Sequence, residues 1–111
     1  MKATTEYSHF EALDIRVGKI LTVEEAASKK PTYRMRIDFG PEVGTKVSCG
    51  AFRHYAKEAL VGRQVIAVVN FPPRKMGPEV SEVLVLGVTN GDGNVVHLTT
   101  ESAVPLGATI F

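Results

Sequence analysis

Hydrophobic residues recur along this chain with two spacings, and the change from one to the other marks out its elements. Ser8-x-x-Glu11 has the spacing of a capping box, and Phe10 and Leu13 share one helical face beyond it. A short helix ending near Asp14 is expected there. From Ile15 the period falls to two, with Ile15, Val17, Leu21 and Val23 alternating with polar positions as in a half-buried strand. Gly18 and the out-of-phase Ile20 predict a bulge or sharp coil within it. A polar, basic loop from Ala26 to Pro31 leads to the cleanest strand, where Tyr33, Met35, Ile37 and Phe39 alternate with Arg34, Arg36 and Asp38.

Gly40-Pro41-Glu42-Val43-Gly44 reads as a hairpin turn, and Thr45 to Cys49 as the return strand. Phe52 to Leu60 predicts a helix, with Phe52, Tyr55, Ala56 and Ala59 on one stripe and Gly62 as its stop. Val65 to Val69 is the apolar run of a fully buried strand. Phe71 to Pro78, with three prolines and a glycine, is expected to be a loop. Val80, Glu82, Leu84 and Leu86 open another long strand. Asn90-Gly91-Asp92-Gly93-Asn94 signals a hairpin before Val95 to Thr99, and Pro105-Leu106-Gly107 turns into a last short strand, Ala108 to Phe111.

Three strands, a helix, then strands again, joined by hairpins with no parallel crossover, describe an all-β fold. A five-stranded Greek-key barrel of the oligonucleotide-binding (OB) type has this order, with its helix between strands 3 and 4. Residues 1–14 and about 100–111 fall outside the minimal barrel as short terminal extensions, and are candidates for a dimer contact.

With 111 residues there is room for a single domain, 1–111, and 44% hydrophobic with 23% charged residues excludes a disordered or fibrous chain. The longest aliphatic run, Val65 to Val69, is far short of the roughly 20 residues of a membrane span, and Met1 to Leu13 has no apolar signal core. The single cysteine, Cys49, cannot form an intrachain disulfide, which fits a reducing compartment. A cytoplasmic protein without membrane insertion is expected. A domain of this size hides roughly 65% of its unfolded surface, so with no Trp and no disulfide its core is modest. Pairing of protomers would extend that core, and a homodimer is expected.

Charge changes the picture more than composition does. Between Arg16 and Lys75 twelve bases face five acids, a net +7, whereas residues 76–111 carry −4 and residues 1–15 carry −2, giving +1 for the chain. Such asymmetry describes either a basic binding face or surfaces that neutralise each other on folding.

Catalytic chemistry finds little support. Cys49 and His54 are close in sequence, but Cys49 sits on an expected strand with no orienting third group. His9, His54 and His97 lack metal-ligand spacing, and Gly91-Asp92-Gly93 is a turn rather than a phosphate loop. No enzyme, metal or cofactor is expected.

A binding surface is better supported. Arg34 and Arg36 project from one strand face while Tyr33, Met35 and Ile37 enter the core. Lys46 and Ser48 on the next strand are expected beside them, with Arg74 and Lys75 closing one side. For RNA these bases would neutralise phosphates and Phe71 would stack on a base. For a peptide the arginines would pair with carboxylates or carbonyls, and Phe71, Pro72 and Pro73 would give apolar contact. Asn70, Ser81 and Glu82 are expected to converge near one barrel rim, either as a polar clamp on ligand or as a network satisfying the loop's own backbone.

Placed in this order, Asp14-Ile15-Arg16-Val17-Gly18-Lys19-Ile20 resembles the opening strand of the tRNA-binding domain found on methionyl-tRNA synthetases and related proteins. Leu60-Val61-Gly62-Arg63-Gln64-Val65, Val69-Asn70-Phe71 and Ser81-Glu82 continue the resemblance. Within that superfamily, the runs Arg63 to Arg74 and Ser81 to Gly87 are similar to the CsaA branch, whose members are stand-alone homodimeric chaperone-like proteins. So are Ile37-Asp38-Phe39-Gly40 and Val104-Pro105-Leu106-Gly107. The likeness runs from about Phe10 to Phe111. Pro31-Thr32-Tyr33 replaces the Lys-Leu-Tyr-type segment of many tRNA-binding relatives, and Val83-Leu84 replaces their Gly-Met; both follow the CsaA pattern. The resemblance implies binding of unfolded or export-competent polypeptides, an association with protein secretion and no catalysis, with structure-selective tRNA binding as the alternative. The ligand-binding residues for either are expected to be Arg34, Arg36, Lys46, Ser48, Asn70, Phe71, Arg74, Lys75, Ser81 and Glu82.

Overall fold

The alternation of Tyr33, Met35, Ile37 and Phe39 places all four side chains in the core, and the barrel is built around them. The computed structural model describes residues 1–28 and 30–111; Lys29, in the expected basic loop, lies outside the described residues. The chain forms helix α1 (Tyr7–Glu11), strands β1 (Ile15–Glu25) and β2 (Tyr33–Asp38), a helical turn α2 (Gly40–Val43) and strand β3 (Thr45–Gly50). Helix α3 (Lys57–Leu60) and strand β4 (Gln64–Val68) follow. The chain continues through β5 (Arg74–Met76), β6 (Glu79–Ser81), β7 (Leu84–Val85), β8 (Gly87–Thr89) and β9 (Val95–His97). Strands β3-β2-β1-β4-β7 make one antiparallel sheet that curls into a nearly closed OB-type barrel, with α3 between the third and fourth strands as expected.

β1 is the strand that makes curling possible. Its first half pairs with β4, from Ile15↔Val68 to Lys19↔Gln64, and its second half with β2, from Lys19↔Asp38 to Glu25↔Tyr33. The register shifts between Ile20 and Thr22, so the expected bulge is present. It falls at Leu21, however, so that Ile20, 1% exposed, and Val23 meet the core on either side of it, while Leu21 is 41% exposed. Gly18 lets β1 press onto β2, because a Cβ there would lie 2.6 Å from Ile37 Cγ2 and 2.6 Å from Phe39 Cε1.

Several local expectations are corrected by tertiary demands. The N-terminal helix begins before Ser8, with Glu6 at its cap, and no capping box forms. The Gly40–Gly44 connection is one helical turn rather than a plain hairpin turn, entered and left through Gly40 and Gly44, each with φ 84°. The helix expected over 52–60 shrinks to its last four residues. Phe52 leaves the stripe to be buried over Gly50, and Ala56 is extended.

Residues 71–78 are not all loop. β5 and β6 form a small hairpin turning at Gly77 and Pro78, where φ of Gly77 is +64°. The long strand expected from Val80 is interrupted at Glu82 and Val83 and resumes as β7 and β8. β8 and β9 pair around the expected Asn90–Asn94 turn, in which Asn90 Oδ1 accepts from the N–H groups of Asp92 and Asn94, each at 3.0 Å. The expected last strand is reduced to a single bridge, Arg16↔Thr109.

Both neighbours of Gly18 are fully buried and cannot swing aside, so Gly18→Ala should destabilise the barrel by about 1–3 kcal/mol. Urea unfolding should show a lower midpoint with an unchanged slope; an unchanged midpoint would mean that β1 does not need this close approach.

Candidate ligand-binding face

β3 is an edge strand, and one side of it is occupied by β2. The N–H groups of Val47 and Cys49 point the other way and are taken by side chains. Glu82 Oε1 accepts from Val47 N–H at 2.9 Å, and Ser81 Oγ accepts from Cys49 N–H at 3.1 Å. Glu82 N–H in turn donates to Val47 C=O at 2.7 Å, while the Ser81 hydroxyl donates to Val83 C=O at 3.1 Å. Two consecutive side chains thus stand in for a strand ladder and seal the barrel. Left unpaired, each buried amide would cost about 1–3 kcal/mol.

The β2–β3 register decides which residues flank the arginines. Arg34 pairs with Cys49 and Arg36 with Val47, whereas Met35 pairs with Ser48 and Ile37 with Lys46. Directly paired residues share a face. Cys49 and Val47 are therefore the neighbours of Arg34 and Arg36. Ser48 and Lys46, expected there, belong to the face of the core residues, and Ser48 is buried. The sum of paired residue numbers is fixed by the Asp38–Thr45 connection, so counting out from that turn would have found Cys49 in the sequence.

Arg34 is not a free cation. Its Nη1 meets Glu79 Oε1 at 2.7 Å and its Nη2 meets Glu24 Oε2 at 3.2 Å. Glu79 is buried on β6; its Oε1 also accepts from Ala27 N–H at 2.9 Å, and its Oε2 lies 4.0 Å from Cys49 Sγ. Glu79 and then Glu24 raise the pKa of Arg34 and hold it charged. Burial, reinforced by the Glu79 charge, pushes the Cys49 thiol up, so it stays protonated near neutral pH. Arg36, Arg74 and Lys75 form no ion pair among the described residues, and Arg36 is exposed.

The β5–β6 hairpin separates two hollows. One, of about 260 Å³, is walled by Phe71, Pro72, Met76, Val83 and Leu84, with Arg74 and Glu82 at its margin and Cys49 and Ser81 beneath. Phe71 and Leu84 are 44% and 46% exposed and line the same hollow, so their apolar surface is open to a ligand. The other hollow, of about 680 Å³, is lined by Ala27, Ser28, Lys30, Arg74, Lys75, Met76, Gly77 and Pro78, three cations with no carboxylate. The first can take an apolar side chain; the second suits an anion. Among the described residues no cluster of His, Cys, Asp and Glu could hold a metal ion.

Asn70 does not join Ser81 and Glu82. Its Oδ1 accepts from Asp14 N–H at 2.8 Å and its Nδ2 donates to Ala12 C=O at 2.9 Å, so it pins the N-terminal extension to the end of β4. Phe71 and Arg74, expected with Arg34 and Arg36, instead line one hollow together with Ser81 and Glu82, expected as a separate rim group, while Arg74 and Lys75 line the other. Glu79 and Met76 reach the face through the β5–β6 hairpin, Leu84 through β7 and Lys30 through the β1–β2 loop, a convergence that the local pattern does not signal.

Residues 15–109 match the family model described as a putative tRNA binding domain. The fold is similar to the solved structure of a CsaA chaperone protein from Picrophilus torridus, at 40% identity and a TM-score of 0.92, covering 97% of this chain and 100% of that one. It is similar also to a chaperone CsaA from Bacillus anthracis, at 40% identity and a TM-score of 0.91, covering 98% and 100%. A curated relative, a methionine–tRNA ligase from Parabacteroides distasonis, is 37% identical over 110 residues, which is 99% of this chain but 16% of that enzyme. The chain belongs to the putative tRNA-binding domain family, as a CsaA-type member.

Proposed function

We propose that this protein is a homodimeric, non-catalytic chaperone that binds unfolded or export-competent polypeptides, with its ligand seated against the β5–β6 hairpin. The observation that carries this reading is the apolar hollow between Phe71 and Leu84, with Arg74 at its margin. An aliphatic or aromatic client side chain fits its walls, and Arg74 would pair with a client carboxylate or carbonyl. The two structural relatives named as CsaA chaperones support the same class. Protein secretion and a cytoplasmic location belong to this reading. A second reading, tRNA binding, is favoured by the larger hollow, where Lys30, Arg74 and Lys75 gather without an acid.

The two ligands separate by salt. Suppression of client aggregation and binding of a labelled apolar peptide should fall at least several-fold in Phe71→Ala, with little change between low and high salt. The triple change of Arg36, Arg74 and Lys75 to Ala should abolish any steeply salt-dependent tRNA binding and affect the peptide less. Tight tRNA binding by the parent, with no effect on aggregation, would put the second reading first.

Dimerisation through the extensions is supported by α1, which buries none of its residues and leaves Tyr7 and Phe10 exposed with ring centroids 6.1 Å apart. A five-residue helix with no buried face is not stable by itself. Light scattering at micromolar concentration should give twice the chain mass; a monomer would remove the dimer.

A binding role also fits a thiol that is kept neutral. Alkylation of Cys49 by iodoacetamide should be slow at pH 7 and still accelerating at pH 9, because only the thiolate reacts and burial disfavours it. A rate already at its plateau by pH 8 would indicate an activated nucleophile and reopen the enzymatic reading.

A further inference from the structure

The Arg34–Glu79 pair lies between the two hollows and lines neither. Its carboxylate nonetheless touches one lining residue of each: Cys49 Sγ, 4.0 Å away, belongs to the apolar hollow, and Ala27 N–H, 2.9 Å away, to the basic one. The pair thus contacts the linings of both and partitions them, and the Arg34 side chain remains 33% exposed. Nearby cations are abundant. Lys30, Arg74 and Lys75 line the basic hollow, and Arg36 stands on the same strand face as Arg34. Unmasked, Arg34 would add a fifth charge to a face suited to polyanions. Instead it is met by two carboxylates, Glu79 and Glu24, so the trio carries a net −1.

The negative charge at Glu79 exceeds what the hydrogen bonds require. A neutral amide oxygen in the same place would accept from both Arg34 and Ala27. A buried carboxylate is a costly way to make two hydrogen bonds, and its field is poorly screened because water is excluded around it.

We propose that Glu79, assisted by Glu24, is a specificity-determining residue that masks Arg34 and sets this face's discrimination against polyanions. A phosphate chain following Lys30, Arg74 and Lys75 meets the masked pair at the partition and gains no contact from Arg34. An apolar polypeptide segment gives up nothing there. The inference rests on the reading that this face binds ligand, and goes further by assigning its selectivity to a residue outside both hollows.

The test measures binding of a labelled single-stranded oligoribonucleotide and of a labelled apolar peptide, each across a salt series. The proteins are the parent, Glu79→Gln, Glu24→Gln and the double variant Glu79→Gln with Arg34→Gln. One released phosphate contact steepens the salt slope for a single strand by roughly 0.7, or roughly fivefold in affinity at 0.1 M salt. Glu79→Gln should gain that in oligonucleotide affinity while peptide affinity stays within twofold of the parent. Glu24→Gln should shift the same way by less, and the double variant should return to the parent's slope. The proposal is overturned if neither single variant steepens the slope, or if the gain persists without Arg34, which would assign it to a loosened hairpin. A parallel loss of peptide affinity would likewise overturn it, making Glu79 a structural residue. Should thermal melting show Glu79→Gln unfolded, the exposed Glu24→Gln decides by itself: a steeper slope supports masking, and an unchanged one ends it. Failure of the parent to bind peptide counts against the proposed function alone, since the oligonucleotide slopes still report on the mask.

Discussion

A curled sheet of five strands has two edges, and the amides along each need partners once the barrel closes over them. At β3 those partners are side chains: Glu82 and Ser81 take the Val47 and Cys49 N–H groups. Much else follows from this seal. It interrupts the strand that would otherwise run on from Val80, so that β6 and β7 are separate. It fastens the β5–β6 hairpin to the barrel wall, and with it the positions of Phe71, Arg74, Lys75 and Met76. The apolar hollow exists because the hairpin is held there and not folded flat.

Charge is distributed by the same logic of partners. The basic stretch found in the sequence does not become a uniform basic surface, because its more enclosed members are already engaged. Arg16 bonds Asp14, Glu42 and the Gly107 carbonyl, tying the start of β1 to α2 and the C-terminal extension. Arg34 is held by Glu79 and Glu24, and Arg53 by Glu25. Among the described residues, Arg36, Lys30, Arg74 and Lys75 are cations of this face that form no ion pair. The difference between a structural and an unpaired arginine is therefore whether the fold brings a carboxylate within reach of it.

The extensions are less loosely attached than their position outside the barrel implies. Asn70 grips Ala12 and Asp14, and Gln64 grips both the N–H and the C=O of Val104. Gly107 continues the docking; its φ of +88° and the 2.5 Å from its Cβ position to the Phe39 carbonyl leave room only for glycine. Each terminal segment is thus fixed to the barrel while α1 keeps its aromatic face outward.

Local pattern alone determined the strands that cross the core, since the two-residue repeat of Tyr33 to Phe39 and the apolar run from Val65 depend only on which side chains avoid water. The Asn90–Asn94 hairpin was equally legible, because its glycines and asparagines act within the turn itself. The order of these elements was enough for the OB-type barrel. Tertiary structure decided what depended on distant partners. Phe52 left its helix for a place over Gly50, the bulge at Leu21 carried the inward phase from Ile20 to Val23, and the proline-rich loop became a hairpin. At the candidate face, Phe71, Arg74 and Lys75 were readable as exposed chemistry beside prolines. That Arg34 is masked, that Ser81 and Glu82 seal an edge, and that Glu79 partitions two hollows was not readable. Those roles come from residues 32 to 45 positions away in sequence, brought within hydrogen-bond reach only when the barrel closes.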